Sequence, residues 1–237
     1  MWFVEAVSEA HSFRAYAGGT SNTDTPRHTS VAVSDLNDHD AFDAIARASA
    51  CPYARRVTIV GVEAASAHDL PHASRTLRKF ATDTQLHSTS IFGIGVSDAL
   101  VQGDLASLAR VLHSVIRLAC TADEYATLKE GIDDPGWRLR VWQTDFFVVA
   151  LSSVYPRTHR RHAANASALM FQPESLFSHL GVTSGPNREL VSDIVADQFA
   201  RAGKPYTSAH TLGTPKARRF ILDPSNEGIE WWDTSRL

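Results

Sequence analysis

Between residues 157 and 162 the chain reads Arg-Thr-His-Arg-Arg-His, shortly after the apolar run Phe146 to Leu151. Three guanidinium groups (Arg157, Arg160, Arg161) and two imidazoles (His159, His162) therefore leave the core together. Planar guanidinium forks suit carboxylate oxygens, and groups on chain segments leaving a buried strand often meet ligands. A solvated basic loop has the same composition, so the turn is a candidate and not a motif. His159 and His162 are three apart, but His-x-x-His without the glutamate of an HExxH motif is a weak metal signal. Four further residues stand out singly. Asp145, just before the apolar run, can receive a guanidinium or an amine on both oxygens. Trp137 can stack on a flat ligand or fill core. Cys51 is a small buried hydrophobe or a pocket thiol, and His87 precedes a strand that could border a pocket.

The elements that must position these groups are readable from hydrophobic periodicity. The run Phe146 to Leu151 is apolar enough for a strand covered on both faces, within a strand over residues 140–151, and residues 166–171 form its neighbour. Residues 56–63 and 88–96 are further strands, the second weakened by Gly93 and Gly95. Helices are expected over 39–50, ended by Cys51-Pro52, over 72–84 behind Pro71, after Pro173 as far as Gly181, and over 187–202. The strongest pattern is a helix capped by Asp104 and running to about Lys129. Its stripe is Leu105, Leu108, Val111, Leu112, Val115, Ile116 and Leu118, with His113 off the stripe and exposed. Asp133 to Gly136 is a turn, residues 204–217 a loop, and Phe220 to Leu222 a last strand. Strands and helices interleave without a regular βαβ rhythm, so the fold class is α+β: a single mixed sheet with packed helices. Residues 1–237 read as one domain, with 1–29 as a mobile or accessory segment.

Composition narrows the function. The chain has 237 residues, 43% of them hydrophobic and 21% charged, with a net charge of −3. No basic field argues for nucleic acid, and no Lys/Arg tract argues for an anionic membrane surface. No apolar run reaches the roughly 20 residues of a spanning helix, and the first residues lack the pattern of a signal peptide. The 2 cysteines, Cys51 and Cys120, do not suggest a disulfide framework, so a cytoplasmic protein with reduced thiols is expected. Gly93-x-Gly95 lacks the third glycine of a phosphate loop, and no Gly-x-Ser-x-Gly elbow is present.

Four motifs in order carry a resemblance to the YqcI/YcgG family. They are Cys51-Pro52-Tyr53-Ala54, Asp134-Pro135-x-Trp137, the segment from Phe146 through Ser152, Tyr155 and Arg157–Arg161 to Phe171-Gln172-Pro173, and the close at Trp231-Trp232. The resemblance spans roughly Cys51 to Trp232. It implies a haem-dependent oxygenase that hydroxylates a nitrogen of a small amino-acid-like, arginine-like substrate, with haem b as cofactor and O2 or peroxide as oxidant. It also implies roles for the residues. His159 would hold the iron, and Arg157, Arg160 and Arg161 would meet the haem propionates. Cys51 and Tyr53 would line the pocket, and Asp145 and Trp137 would face the substrate. Cys51, His162 and His87 remain alternative ligands; a thiolate would favour O–O cleavage. The other function that fits is a non-enzymatic haem- or small-molecule-binding protein of the same family.

Overall fold

The structure is a computed structural model that describes residues 42, 45–46, 49–51, 54, 56–134, 136–179, 187–204 and 215–237. Its centre is one five-stranded mixed sheet. The strands are β1 (Thr58–Ala64), β2 (Ser90–Val96), β3 (Leu139–Val141), β4 (Thr144–Ser152) and β5 (Ser167–Pro173), in the order β1-β2-β5-β4-β3. β1 and β2 are parallel and every other pairing is antiparallel. The class is α+β, with one βαβ step at its start: α1 (Leu70–Thr82) carries the chain from β1 to β2, and a short helix α2 (Asp98–Val101) follows β2. β5 then inserts between β2 and β4, so both ends of the β4–β5 connection lie in the middle of the sheet.

Both faces of the sheet are covered. On one face Val60, Val62, Phe92, Ile94, Phe146, Val148, Leu169 and Phe171 pack against Leu77 and Phe80 of α1. The same cluster takes Leu108, Leu112, Val115 and Ile116 of α3 (Leu105–Ala119). On the other face Ile59, Ile91, Val149, Ala168 and Met170 meet Phe42, Ile45 and Cys51. They also meet Leu176 and Phe177 of α5 (Glu174–His179), and Val195 and Phe199 of α6 (Asn187–Arg201). Alternate side chains of a strand point to opposite faces. A strand buried on both faces must therefore be apolar throughout, as the Phe146 to Leu151 run is.

Three local expectations differ from the structure. The long helix predicted to reach Lys129 stops at Ala119, with Cys120 extended, and a separate helix α4 (Ala122–Lys129) follows. Thr121 and Glu124 form a reciprocal capping box, which fixes a new helix start. Arg78 holds the break from outside by donating to the Ala119 carbonyl and to Glu124. In the last turn before the break the expected stripe leaves the core: Leu118 is 50% exposed, whereas Leu112 is fully buried. His113, expected in solvent, is half-buried beside the Tyr125 ring of α4, and burial lowers its pKa.

Next, the strand expected over 140–151 is a hairpin, β3 and β4, turning at Trp142 with φ 56°. A bulky residue at positive φ is an uncommon turn former, so nothing in the sequence marked it. Finally, Phe220 to Leu222 is not a strand. It follows a short 3-10 turn at Ala217–Arg219 and makes only an isolated bridge, Leu222 to Gly228. Its backbone has another task. β3 pairs only with Thr144 to Phe146, and the edge of β4 beyond it is met by the Phe220 carbonyl, which accepts from Ala150 N at 3.1 Å.

The helix pattern on 39–50 falls largely outside the described residues; Phe42, Ile45 and Ala46 are helical. No helix among the described residues is long and apolar enough to cross a membrane. The contrast along α3 gives a direct check by urea unfolding. Leu112→Ala should cost about 2–5 kcal/mol, the range for truncating a fully buried leucine, while Leu118→Ala should stay within about 0.5 kcal/mol.

Candidate functional site

The β4–β5 connection, residues 153–166, is tied down at its base. Ser152 and Ser167 face each other across the strands and share a hydroxyl contact of 2.8 Å, and Ser152 Oγ also accepts from Val154 N at 3.1 Å. The basic turn folds back onto the same serine, where Ser152 N donates to the Arg161 carbonyl and Ala163 N to the Ser152 carbonyl, both at 3.1 Å. These contacts pull the turn inward. Tyr155, His159 and Arg161 are all buried, and Arg157 is the one arginine of the turn that is exposed.

Inside the turn the two histidines adopt opposite tautomers. His159 stacks on Tyr155, with centroids 4.4 Å apart and planes 8° apart. Its Nδ1 accepts the Arg161 backbone N–H at 3.2 Å, so in the neutral ring the hydrogen sits on Nε2. That Nε2 is buried without a hydrogen bond of normal geometry, although the Asn226 side chain lies close enough to influence its protonation. Burial, with Arg161 and Arg160 nearby, lowers the His159 pKa to about 4. His162 is the reverse. Its Nδ1 meets the Tyr155 carbonyl at 2.7 Å and must donate, which leaves the lone pair on Nε2. That is the arrangement metal-binding histidines use.

The other predicted site residues are dispersed. Arg161 donates to the carbonyls of Phe220 and Arg219, so its fork binds the C-terminal segment to the turn. Trp137 is buried, donates from Nε1 to the Leu128 carbonyl at 2.7 Å, and packs its ring against Phe220. Asp145 already holds a guanidinium on both oxygens, that of Arg140 at 2.7 and 3.1 Å. Cys51 lies in the cluster on the opposite face of the sheet from Trp137. Arg160 is half-buried, and Tyr53 lies outside the described residues. His87 is buried and satisfied, with Nε2 at 2.8 Å from the Phe80 carbonyl.

As placed, this set does not fit a haem held by His159: the hydrogen forced onto Nε2 occupies the position an iron would need. His162 has a ligand's tautomer. Among the described residues there is no group of three or more His, Cys, Asp or Glu side chains that could hold a metal ion.

A second feature lies at the other end of the same connection. Where the parallel strands β1 and β2 end, a cleft of about 270 Å³ is lined by Phe42, Ile45, Glu63, Gly95, Val96, Ser97, Asp98, Asn165, Ala166 and Ser167. Carboxyl ends of parallel strands are common ligand positions in α/β sheets. Ser97 pins the two ends together: its N–H donates to the Ala64 carbonyl at 3.1 Å and its hydroxyl to the Ala65 carbonyl at 2.6 Å. Asn165 takes φ 58°, a left-handed conformation that asparagine tolerates, as the chain enters β5. Glu63 and Asp98 are both exposed, and neither carboxylate has an ion-pair or hydrogen-bond partner among the described residues.

Sequence reasoning missed this cleft. Its residues come from four separated segments, and Glu63 reads there only as the polar end of a strand. The one available signal was Gly95, noted for a phosphate loop it does not form. No family model, curated protein or solved structure shows a significant match to the chain.

The buried His159 ring predicts a pH dependence. Its pKa in the fold lies below the ordinary 6.5, so the neutral ring favours the fold. That contribution is complete above about pH 6.5 and is lost as pH falls toward about 4. The loss over this window is on the order of 3 kcal/mol, at about 1.4 kcal/mol per pH unit. Urea unfolding of wild type and His159→Phe between pH 7 and 4 measures it: the wild type should lose stability more steeply by that amount. Parallel curves would place His159 in solvent.

Proposed function

We propose that this chain is a small-molecule-binding protein whose site is the cleft at the ends of β1 and β2, and that it selects a compact organic cation. The observation that carries the reading is the Glu63 carboxylate, unpaired among the described residues and lining a cavity walled by Phe42, Ile45 and Val96. A carboxylate attracts an ammonium or guanidinium, while the apolar wall takes the hydrocarbon part of the ligand. Asp98 adds a second negative charge to the lining. An arginine-like or amine substrate has this chemistry, and a cytoplasmic setting suits a chain whose two cysteines are both buried and form no disulfide among the described residues.

The test uses matched four-carbon probes. By isothermal titration and amide chemical-shift mapping, n-butylammonium should bind at the cleft and n-butanoate should not. Glu63→Gln should weaken butylammonium about two- to fivefold, since a solvent-exposed ion pair contributes up to about 1 kcal/mol. Equal binding of butanoate would remove the charge preference, and no binding of any probe would remove the site.

A second reading is haem-dependent oxidation of the ligand's nitrogen by O2 or peroxide, in a member of the YqcI/YcgG family. It is supported by the four sequence motifs and by the tautomer of His162, whose Nε2 lone pair is available to iron. Bound haem would supply the oxidising chemistry. The protein would orient the imidazole through the Tyr155 carbonyl and the substrate cation through Glu63. Expression with a haem precursor should give a Soret band that His162→Ala abolishes and His159→Ala leaves in place. Protein that stays colourless after haem reconstitution would end this reading, and loss of the band only in His159→Ala would return the ligand role to His159.

A further inference from the structure

We infer that Gly95 is a positioning residue: its missing side chain is what lets the Glu63 carboxylate lie across β2 at the cleft. This rests on the cleft being the ligand site.

Glu63 and Gly95 are register partners in the parallel β1–β2 pair. Opposed residues in a sheet point to the same face with their Cβ atoms roughly 5 Å apart, so the side chain at one position limits the space at the other. Here the whole limit is spent on Glu63. A Cβ built on Gly95 would lie 2.1 Å from Glu63 Oε2 and 2.4 Å from both its Cδ and Oε1. The carboxylate thus rests on the bare backbone of β2, over the position an alanine methyl would fill.

The neighbouring register step shows the same device with a different occupant. Gly61 and Gly93 are also partners, two residues back on the same face. A Cβ on either would lie 2.8 Å from a ring carbon of Phe42. The glycines therefore form a trough along β1 and β2. Its first step is filled by an aromatic ring that becomes one wall of the cleft, and its second holds the carboxylate at the cleft itself. Glycine in a strand interior often marks such a close approach. The Gly95 position differs from the other two in what would have to move. At Gly61 a methyl also meets the Gly93 carbonyl at 2.1 Å, a backbone clash, whereas at Gly95 its three nearest atoms all belong to the end of a flexible side chain. Gly95→Ala should therefore keep the fold and expel the carboxylate.

The experiment is a double-mutant cycle on the full chain with n-butylammonium as probe. It compares wild type, Gly95→Ala, Glu63→Gln and the double variant by isothermal titration, with thermal melting as the check on folding. If Gly95 acts through Glu63, Gly95→Ala weakens the probe about as much as Glu63→Gln does, two- to fivefold. The double variant is then no weaker than either single one, because the lost interaction is the same. A purely structural role predicts the opposite: losses that multiply, together with a lowered melting temperature. Unchanged affinity in Gly95→Ala with a loss in Glu63→Gln would overturn the positioning role and leave the cleft standing. Wild type that does not bind butylammonium would remove both. As a control for crowding, n-butanol affinity should be the same in wild type and Gly95→Ala; a drop there would mean that the methyl blocks the cleft and does not act through the carboxylate.

Discussion

Burial of the sheet on both faces is the constraint from which the rest of this structure follows. Strands β2 and β5 are buried along their entire length, each pressed between two apolar clusters. A polar side chain in the middle of such a strand would lose its water without a partner, at a cost of about 1–3 kcal/mol. Chemistry is thereby driven to the strand ends and to the connection between β4 and β5. Gln172, buried and with no partner for its Oε1 among the described residues, is the exception inside the layer. Ser152 and Ser167 obey the rule by satisfying one another at the strand boundary.

The same constraint explains the C-terminal segment. β3 is only three residues long and leaves part of the β4 edge open. The chain closes that edge with a backbone carbonyl, Phe220, held in place from two sides. Arg161 donates to it from the basic turn, and the Phe220 ring stacks on Trp231, which in turn donates from Nε1 to the Ala217 carbonyl at 2.9 Å. Phe220 and Trp231 thus act as the clamp that ends the sheet. The guanidinium groups divide in the same way. Arg161 is structural, Arg140 is paired with Asp145, and Arg157 is exposed.

The cleft and the histidine turn are the two ends of one connection. Asn165 and Ala166 line the first, and Tyr155 to His162 build the second. A ligand in the cleft would touch the chain a few residues from His162. This shared connection, rather than the charge of the turn, is what relates the basic turn to the proposed site in the cleft.

The sequence by itself determined the layered class and most of the elements. Periodicity is local, so the stripe Leu108 to Ile116, the Phe146 to Leu151 run and the breaks at proline and glycine were legible without any partner. The break at Cys120 has a local signal too, since Thr121 and Glu124 spell a capping box, but the apolar stripe reads as one helix to about Lys129. What only the tertiary structure decided was who meets whom. The hairpin at Trp142 carries no glycine signal. The tautomers of His159 and His162 depend on which backbone group folds against each ring. The cleft needs Glu63, Gly95 and Asn165, which lie on three strands or their ends and become neighbours only when β1 and β2 align in parallel and β5 enters beside them. Residue types record what a side chain can do. The register between strands decides which of them share a space, and long-range pairing of that kind leaves no local trace in a single sequence.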